Sequence, residues 1–496
     1  MDNPMLWTLI SIQIVMGTTD MLVHHEGTER LAWRPSQKHE LRLHGIRNFF
    51  YAVIFLCFAW AEPHGAWTVI LAGILFVEVL ITLWDFVEED LPRKLPATER
   101  VLHTLLALNY GAILAYAAPF LWAWAWMPTA FHTVSYGWWS VLLTLSSLGV
   151  AVFAARDLFA AQRSDRLDQG NPARLVDALP PRQRVLITGG TGFIGQRLVA
   201  ALVAGGHDVT VLTRDLRKVD LLAHPVRVID DLALVHNADR FDAIVNLAGD
   251  AVASGLWTAK KRARIINSRV EMTRTLDALI ARLEVKPRVV VNGSAVGYYG
   301  LHGDDILAED AAPNPAFVHD VCREWEDAAA PIARHGVRLV VLRIGLVLGV
   351  DGGMLAKLLT PFEFGLGGQM GDGQQWMPWI EHGDMIRVIA FAMANEDLEG
   401  PVNATAPIPV RNATFTADLA AALNRPVILR FPAWLLGLLG DMGRETMLSG
   451  QRVVPVKLLD AGFRFDHDTL GPMLARITGG RPAPVIAPKP VMSHPV

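Results

Sequence analysis

Two cysteines in 496 residues, Cys57 in an apolar run and Cys322 in a later helix-like stretch, are too few for a disulfide framework or a thiolate metal cluster. Charged residues make up only 19% of the chain, the formal net charge is −4, and no long basic block occurs, so nothing points to a nucleic-acid partner. Solenoid-type repeats are absent as well. So little charge beside 52% hydrophobic residues calls for a large lipid-facing segment. The length calls for two or three domains.

That segment lies at the front. Five apolar stretches, roughly 5–22, 45–61, 67–86, 101–124 and 138–155, approach the ~17–25 residues of a membrane span. The turn at Glu62-Pro63-His64 must be tight, and Pro119 should kink the fourth span. The first stretch lacks the positive charge and small-residue site of a cleavable signal peptide, so it is expected to stay as an anchor. Arg30, Arg34, Lys38 and Arg42 follow the first span, Arg93, Lys94 and Arg100 the third, and Arg156, Arg163 and Arg166 the fifth; the remaining loops carry no lysine or arginine. This asymmetry places the N-terminus outside a bacterial-type inner membrane and everything after Ala155 in the cytosol. Trp122, Trp124, Trp126, Trp138 and Trp139 flank an outer loop, as an aromatic belt would.

Pairs of metal-ligand residue types recur at i, i+4 near the cytoplasmic helix ends: Asp20 and His24, Glu40 and His44, Asp85 and Glu89, Glu99 and His103. That spacing sets each pair on one helical face, and bundles with two metal ions use such carboxylate and imidazole pairs. His25, Glu26 and Glu88 lie nearby. Three readings stay open: a metal site, a polar substrate or headgroup site, and structural ion pairs with Arg30, Arg42, Arg47 or Arg93.

Residues 157–183 turn polar, with Gly170-Asn171-Pro172 and Pro180-Pro181, and read as a linker. A strand at Val185–Thr188 then runs into Gly189-Gly190-Thr191-Gly192-Phe193-Ile194-Gly195, an amphipathic helix through Ala204 and a second strand at Val209–Leu212. This is the βαβ context of a dinucleotide fingerprint, in which glycines permit the turn, the pyrophosphate's approach and helix–strand packing, and the helix N-terminus holds the phosphates. Arg214 ends the second strand, where an NAD enzyme places an acidic residue, so the cofactor is expected to be NADP(H) ahead of NAD(H), with Asp215 as a counter-indication. Strands at 243–249, 289–292 and 339–342 continue the alternation. The expected fold is an N-terminal all-α membrane bundle of about five spans, followed by an α/β Rossmann-like doubly wound parallel sheet with a small C-terminal substrate-side subdomain. The boundaries are bundle 1–156, linker 157–183, nucleotide domain 184–400, C-terminal cap 401–480 and a disordered tail 481–496.

The second half resembles the extended short-chain dehydrogenase/reductases, the NAD-dependent epimerase/dehydratase superfamily. The resemblance rests on TGGTGFIG at 188–195, NLAG at 246–249 and Tyr299-Gly300. Trp257–Val270, SAVGYYG at 294–300, LRIGLVLG with Gly352-Gly353, and LSGQRVVPVKLLDAGFRF at 448–465 are similar to one atypical branch, termed epimerase family or cell-division-inhibitor-like, with its C-terminal domain of unknown function. It covers about 184–478 and leaves the membrane half outside. It implies cofactor contacts from Gly189, Gly190, Thr191, Gly192, Phe193 and Ile194, and from Leu247, Ala248 and Gly249 along the cofactor. It also implies a Ser or Thr four residues before the aligned tyrosine and a Tyr-x-x-x-Lys pair. Ala295 stands at the first place, and the helix at 317–330 has neither Tyr nor Lys; if Glu326 aligns, Val318 and Cys322 occupy those positions. Proton management then falls to Ser294, Tyr298, His302 or His319.

The glycine-rich segment Phe364–Gln374, with Trp376 and Trp379, reads as a mobile loop over a pocket for an apolar or ring-containing substrate. The expected function is a membrane-anchored NADP(H)-binding oxidoreductase or epimerase-like enzyme acting on a small-molecule or lipid-like substrate. Two alternatives are a non-catalytic NADP(H)-sensing module coupled to the bundle and a metal-dependent membrane redox enzyme.

Overall fold

The computed structural model describes residues 3–90, 95–167 and 170–480. The chain forms two compact units, Met1–Asp168 and Gln169–Val496.

In the first unit, α1 (Pro4–Asp20) starts where the Asn3 side chain accepts from the Met5 amide at 2.9 Å and Pro4 fills the first helical position, a favourable start because both use orphan amide positions. It passes into a π-helical stretch, Met21–Glu29. Four further helices follow: α2 (Lys38–Trp60), α3 (Ala66–Asp90), α4 (Ala97–Ala125) and α5 (Trp138–Ser164). Gly45 on α2 lets α5 approach closely, since a Cβ there would lie 2.7 Å from Leu158 Cγ. The α4 helix runs unbroken through Pro119. The turn after α2 is more than a tight link: β1 (Ala61–His64) pairs antiparallel with β2 (Ala130–Thr133). All five helical segments are long and apolar enough to cross a membrane.

The polarity of this unit is inverted. Glu78, Asp85, Glu89 and Glu99 are wholly buried, whereas Phe76 is 64% exposed, Leu108 68% and Phe159 70%. Asp20, Asp85 and His103 lie near the ends of the apolar stretches and Glu40, His44, Glu89 and Glu99 on helix turns beyond them, all buried. Arg93 and Lys94 lie outside the described residues.

The second unit is built on seven parallel strands: β3 (Arg184–Thr188), β4 (Asp208–Leu212), β5 (Arg227–Ile229), β6 (Ala243–Asn246), β7 (Val289–Ala295), β8 (Arg338–Ile344) and β9 (Gly400–Ala404). Their order is β9-β8-β7-β6-β3-β4-β5. Alternate residues face opposite layers: Val185 and Ile187 join α6 (Phe193–Ala204) and the helix His382–Ala394, while Leu186 joins α7 (Ala259–Arg282) and the end of α8 (Phe317–Ala329). Both faces are covered, which explains the nearly continuous aliphatic strands.

Two expected boundaries move. The linker expected over 157–183 is shorter, because α5 continues to Ser164 and the 3-10 turn Pro172–Val176 places Val176, with Leu175 and Leu179 beside it, in the nucleotide unit's core. The cap expected from 401 begins later, because Gly400–Ala404 pairs with β8 as the edge of the main sheet. The tail 481–496 lies outside the described residues.

Candidate functional site

At the end of β3 the backbone turns sharply. Gly189 has φ +73°, and a Cβ there would lie 2.6 Å from Leu247 O, so close passage beneath the end of β6 requires glycine. A Cβ on Gly195 would enter the backbone of Gly189 and Gly190, which is why α6 can settle directly on the turn. Gly190 lies against Val211, Thr191 O receives Gln196 Nε2 at 2.8 Å, and Gly192 begins α6 with no side-chain cap. The first amides of α6, starting at Phe193 and Ile194, are thus left as donors for an anion. The Phe193 ring sits 4.0 Å from that of His382, and Gly352 and Gly353 make room for it.

Two strand ends flank this cradle. Arg214, just past β4, is exposed and has no ion pair or hydrogen bond among the described residues. Asp215 is occupied otherwise: its carboxylate accepts from Arg217 Nε at 2.8 Å and from the Arg217 amide at 3.3 Å, and that pairing holds it below the usual carboxylate range. At β6, buried Asn246 accepts from Thr188 Oγ1 at 2.6 Å and donates to Asn292 Oδ1 at 2.7 Å. This fixes the path of Leu247 and Ala248, and Gly249 leaves room for the Arg269 guanidinium, which a Cβ would meet at 2.8 Å. The glycine cradle, free helix amides and unpaired arginine fit a dinucleotide carrying an extra phosphate.

A cavity of about 270 Å³ opens at the C-terminal ends of β7 and β8, the edge where open α/β sheets bind ligands. Ala295, Val318, Cys322, Trp325 and Trp376 line much of it. Its polar lining includes Arg269, whose NH1 donates to Asp250 O at 3.0 Å and Ile265 O at 2.8 Å, and Glu445. The Glu445 carboxylate accepts the amides of Phe317 at 3.3 Å and Val318 at 3.0 Å, bracing the start of α8. Burial, and then the Glu326 charge, push the Cys322 thiol up to about 11, so it is a neutral wall residue at physiological pH.

None of the expected acid–base residues lines this cavity. Strand alternation turns Ser294 away when Ala295 faces in; Ser294 Oγ donates to Glu326 Oε1 at 2.7 Å. Glu326 in turn receives Arg343, whose NH1 reaches Tyr299 OH at 3.1 Å, and that hydroxyl donates to Asn403 Oδ1 at 2.7 Å. Tyr298 packs its ring under the Arg343 guanidinium at 3.4 Å. His319 Nδ1 lies 2.5 Å from Tyr298 O, and His302 is 3.7 Å from Asp305. Ser294, Tyr298 and His319 belong to a supporting network, and His302 stands apart from it. The expected mobile loop is partly a strand, since Gly368–Met370 pairs with Leu429–Phe431. Trp379 is core, bonded to Ile408 O at 2.9 Å, and Glu381 caps the next helix through the Asp384 amide. Arg269 and Glu445 escaped sequence reasoning because only the fold brings α7 and the C-terminal segment to one cavity.

Comparison with known proteins bears on this unit. The sequence model of the NAD dependent epimerase/dehydratase family matches residues 185–404, and that of a C-terminal domain of unknown function matches 431–477. An epimerase family protein of Mycobacterium leprae is 36% identical over 297 residues, covering 59% of this chain and 95% of that protein. The chain belongs to the epimerase family. An epimerase family protein of Bos taurus, SDR39U1, is 36% identical over 302 residues, covering 59% of this chain and 99% of the relative. The crystal structure of human epimerase family protein SDR39U1 (isoform2), solved with NADPH, aligns at a TM-score of 0.54 with 32% identity, covering 60% of this chain and 99% of that one. Ala295 stands where the resemblance expects the hydroxyl and, if Glu326 aligns, Val318 and Cys322 stand where it expects tyrosine and lysine; all three line the cavity.

The bundle gathers the remaining candidates. Asp20 Oδ2 lies 3.0 Å from His103 Nε2, His103 Nδ1 3.1 Å from Glu89 Oε2, and His44 Nε2 3.1 Å from Glu89 Oε1 and 3.2 Å from Asp85 Oδ2. Glu40 joins His44 and Glu89, and Glu99 lies 3.9 Å from His25. His24 departs from expectation: its ring turns to Asp20 Oδ1 at 2.8 Å and Thr98 Oγ1 at 3.3 Å, while His25 takes the inward place.

Proposed function

We propose that the chain is a membrane-anchored NADP(H)-dependent oxidoreductase of the epimerase family, acting on an apolar, carbonyl-bearing small molecule of lipid-like character. The observation that carries the cofactor reading is the unpaired Arg214 beside the glycine cradle, with Asp215 held by Arg217. The human relative solved with NADPH supports it.

When bound, the nicotinamide supplies or accepts a hydride. The chain's own residues do the rest. Free amides at the start of α6 bind phosphate oxygens, and Arg214 pairs with the 2′-phosphate. Val318 and Trp325 keep water from the reacting carbon. Arg269, largely held by backbone carbonyls, stabilises negative charge developing on a substrate oxygen. Glu445 holds or takes the proton at the cavity wall, in place of a tyrosine–lysine pair. The apolar outer surface of the bundle supports its embedding in the inner membrane, and the lysine–arginine asymmetry supports an outside N-terminus and a cytoplasmic nucleotide unit.

A second reading, a non-catalytic NADP(H) sensor, is favoured by one observation: the helix at 317–330, where the resemblance expects a Tyr-x-x-x-Lys pair, has neither residue. Turnover separates the two. Purified protein in detergent is titrated with NADPH and NADH by nicotinamide fluorescence, then supplied with long-chain aldehydes and ketones while NADPH absorbance is followed. Tight NADPH binding with oxidation that Arg269→Ala abolishes supports the enzyme. Tight binding without turnover across the series supports the sensor, and no binding of either nucleotide overturns both.

A further inference from the structure

The nucleotide reading leaves the buried cluster in the bundle unexplained. Its side chains come from four segments: Asp20, His24 and His25 at the α1–π junction, Glu40, His44 and Arg47 on α2, Asp85 and Glu89 on α3, and Glu99 and His103 on α4. Two groups stand out as compact. The ligand atoms of Asp20, His25 and His103 lie within 4.8 Å of one another, and so do those of Glu40, His44 and Glu89. Donor atoms sharing one ion through bonds of about 2.1 Å sit roughly 3–4 Å apart, so each group needs little contraction.

We propose that the bundle binds two divalent first-row transition-metal ions, one on Asp20, His25 and His103 and one on Glu40, His44 and Glu89.

Three features beyond clustering point to an ion. The first is the helix itself. The stretch Met21–Glu29 is π-helical over nine residues, far longer than the single-turn bulges in which this geometry is normally met, and such bulges gather at functional sites. Its wider turn sets residue i+5 above residue i. That brings His25 Nε2 to 3.4 Å from Asp20 Oδ2 while His24 Nδ1 still holds Asp20 Oδ1 at 2.8 Å.

The second is unfinished bonding. His25 Nε2 and Glu89 Oε2, both within the two groups, are buried without a hydrogen-bond partner, His25 being 8% exposed and Glu89 wholly covered. Such atoms are costly in a bilayer-embedded interior unless an ion satisfies them.

The third is a ready outer shell. If His103 gives Nε2 to the first ion, its Nδ1 stands 3.1 Å from Glu89 Oε2, and Glu89 Oε1 remains beside His44 for the second ion. Glu89 therefore orients one site while ligating the other. His24, braced by Thr98, orients Asp20, and Arg47 pairs with Asp85 next to His44. Metal-bound histidines are commonly oriented by a carboxylate beside the second ring nitrogen.

The donor set chooses the ion class. Imidazole with carboxylate suits zinc, iron and manganese, whereas calcium and magnesium take oxygen ligands. Both groups border a cavity of about 500 Å³ inside the bundle, with His25, His44, His103 and Asp20 on its wall and Tyr51 and Tyr110 also lining it. Three protein ligands per ion and an adjoining cavity leave coordination positions open, as catalytic sites do.

The full-length protein, purified anaerobically in detergent, is stripped with chelator and reloaded separately with Fe²⁺, Mn²⁺, Zn²⁺ or Co²⁺. Elemental analysis is expected to give two ions per chain for at least one metal, and Co²⁺ to develop visible ligand-field bands that saturate at that stoichiometry. His25→Ala and His44→Ala are each expected to lose one ion, while His132→Ala on β2 keeps both. The cobalt titration uses unsubstituted protein, so it stands even if a variant fails to fold. No saturating cobalt bands together with only trace binding of all four metals would overturn the proposal, and the cluster would then be an imidazolium–carboxylate ion-pair network. Saturation at a single ion would overturn its two-ion form.

Discussion

Arg214→Glu isolates the cofactor reading most cleanly. Arg214 has no partner among the described residues, so its replacement strips nothing of a buried bond, and folding should be unaffected. What it removes, on the proposed reading, is a charge-assisted pairing with a 2′-phosphate. Hydrogen bonds to charged groups contribute about 1.5–3 kcal/mol, and an exposed site lies at the low end because solvent and salt screen it. A loss of about 1.5–2 kcal/mol corresponds to roughly 10- to 30-fold in Kd. Fluorescence titration of the variant should therefore show NADPH weakened by about that factor while NADH stays within about twofold. Asp215→Ala should change neither nucleotide much, because its carboxylate is already taken by Arg217. Equal weakening of NADPH and NADH, or an unchanged ratio, would refute the reasoning.

Gly195→Val should abolish nucleotide binding and lower the melting temperature, because the new side chain enters the backbone of Gly189 and Gly190; a melt still raised by NADPH would contradict this. Glu326→Ala leaves the Arg343 guanidinium buried without its carboxylate partner, and denaturant unfolding of the nucleotide unit should show a loss of about 3–5 kcal/mol. Tyr299→Phe should cost less, about 1–3 kcal/mol, through the unpaired Asn403 Oδ1. In a Cys57→Ala background, the rate of Cys322 alkylation should rise with a midpoint near 11. The sign follows from burial of the thiol: the folded state keeps its proton where the unfolded chain has released it, so this contribution to stability is full below the unfolded thiol's range and is lost as pH rises through about 11. An alkylation midpoint in the ordinary thiol range would place Cys322 outside the cavity wall.

The nucleotide half was legible because its signals are local. Glycine spacing between a strand and a helix encodes a turn that other residues cannot make, and Arg214 is placed by its distance from that turn. Aliphatic runs of strand length separated by helices dictated a parallel sheet, and long apolar stretches dictated five helices. The acid–base assignment was not legible. Whether Ser294 or Ala295 faces the cavity depends on strand register, which a single residue's shift reverses. Glu445 lies over a hundred residues from the α8 amides it caps, so no local spacing announces it. The same holds in the bundle. Regular i, i+4 spacing correctly grouped Glu40 with His44 on one face, but the choice between His24 and His25 followed from the π-helical turn, which no periodicity in the sequence reveals. Composition and short-range pattern thus determined which elements form and where the glycine turn lies. Tertiary packing decided which side chains meet, because contacts between distant segments depend on the register, helix geometry and burial of every layer between them.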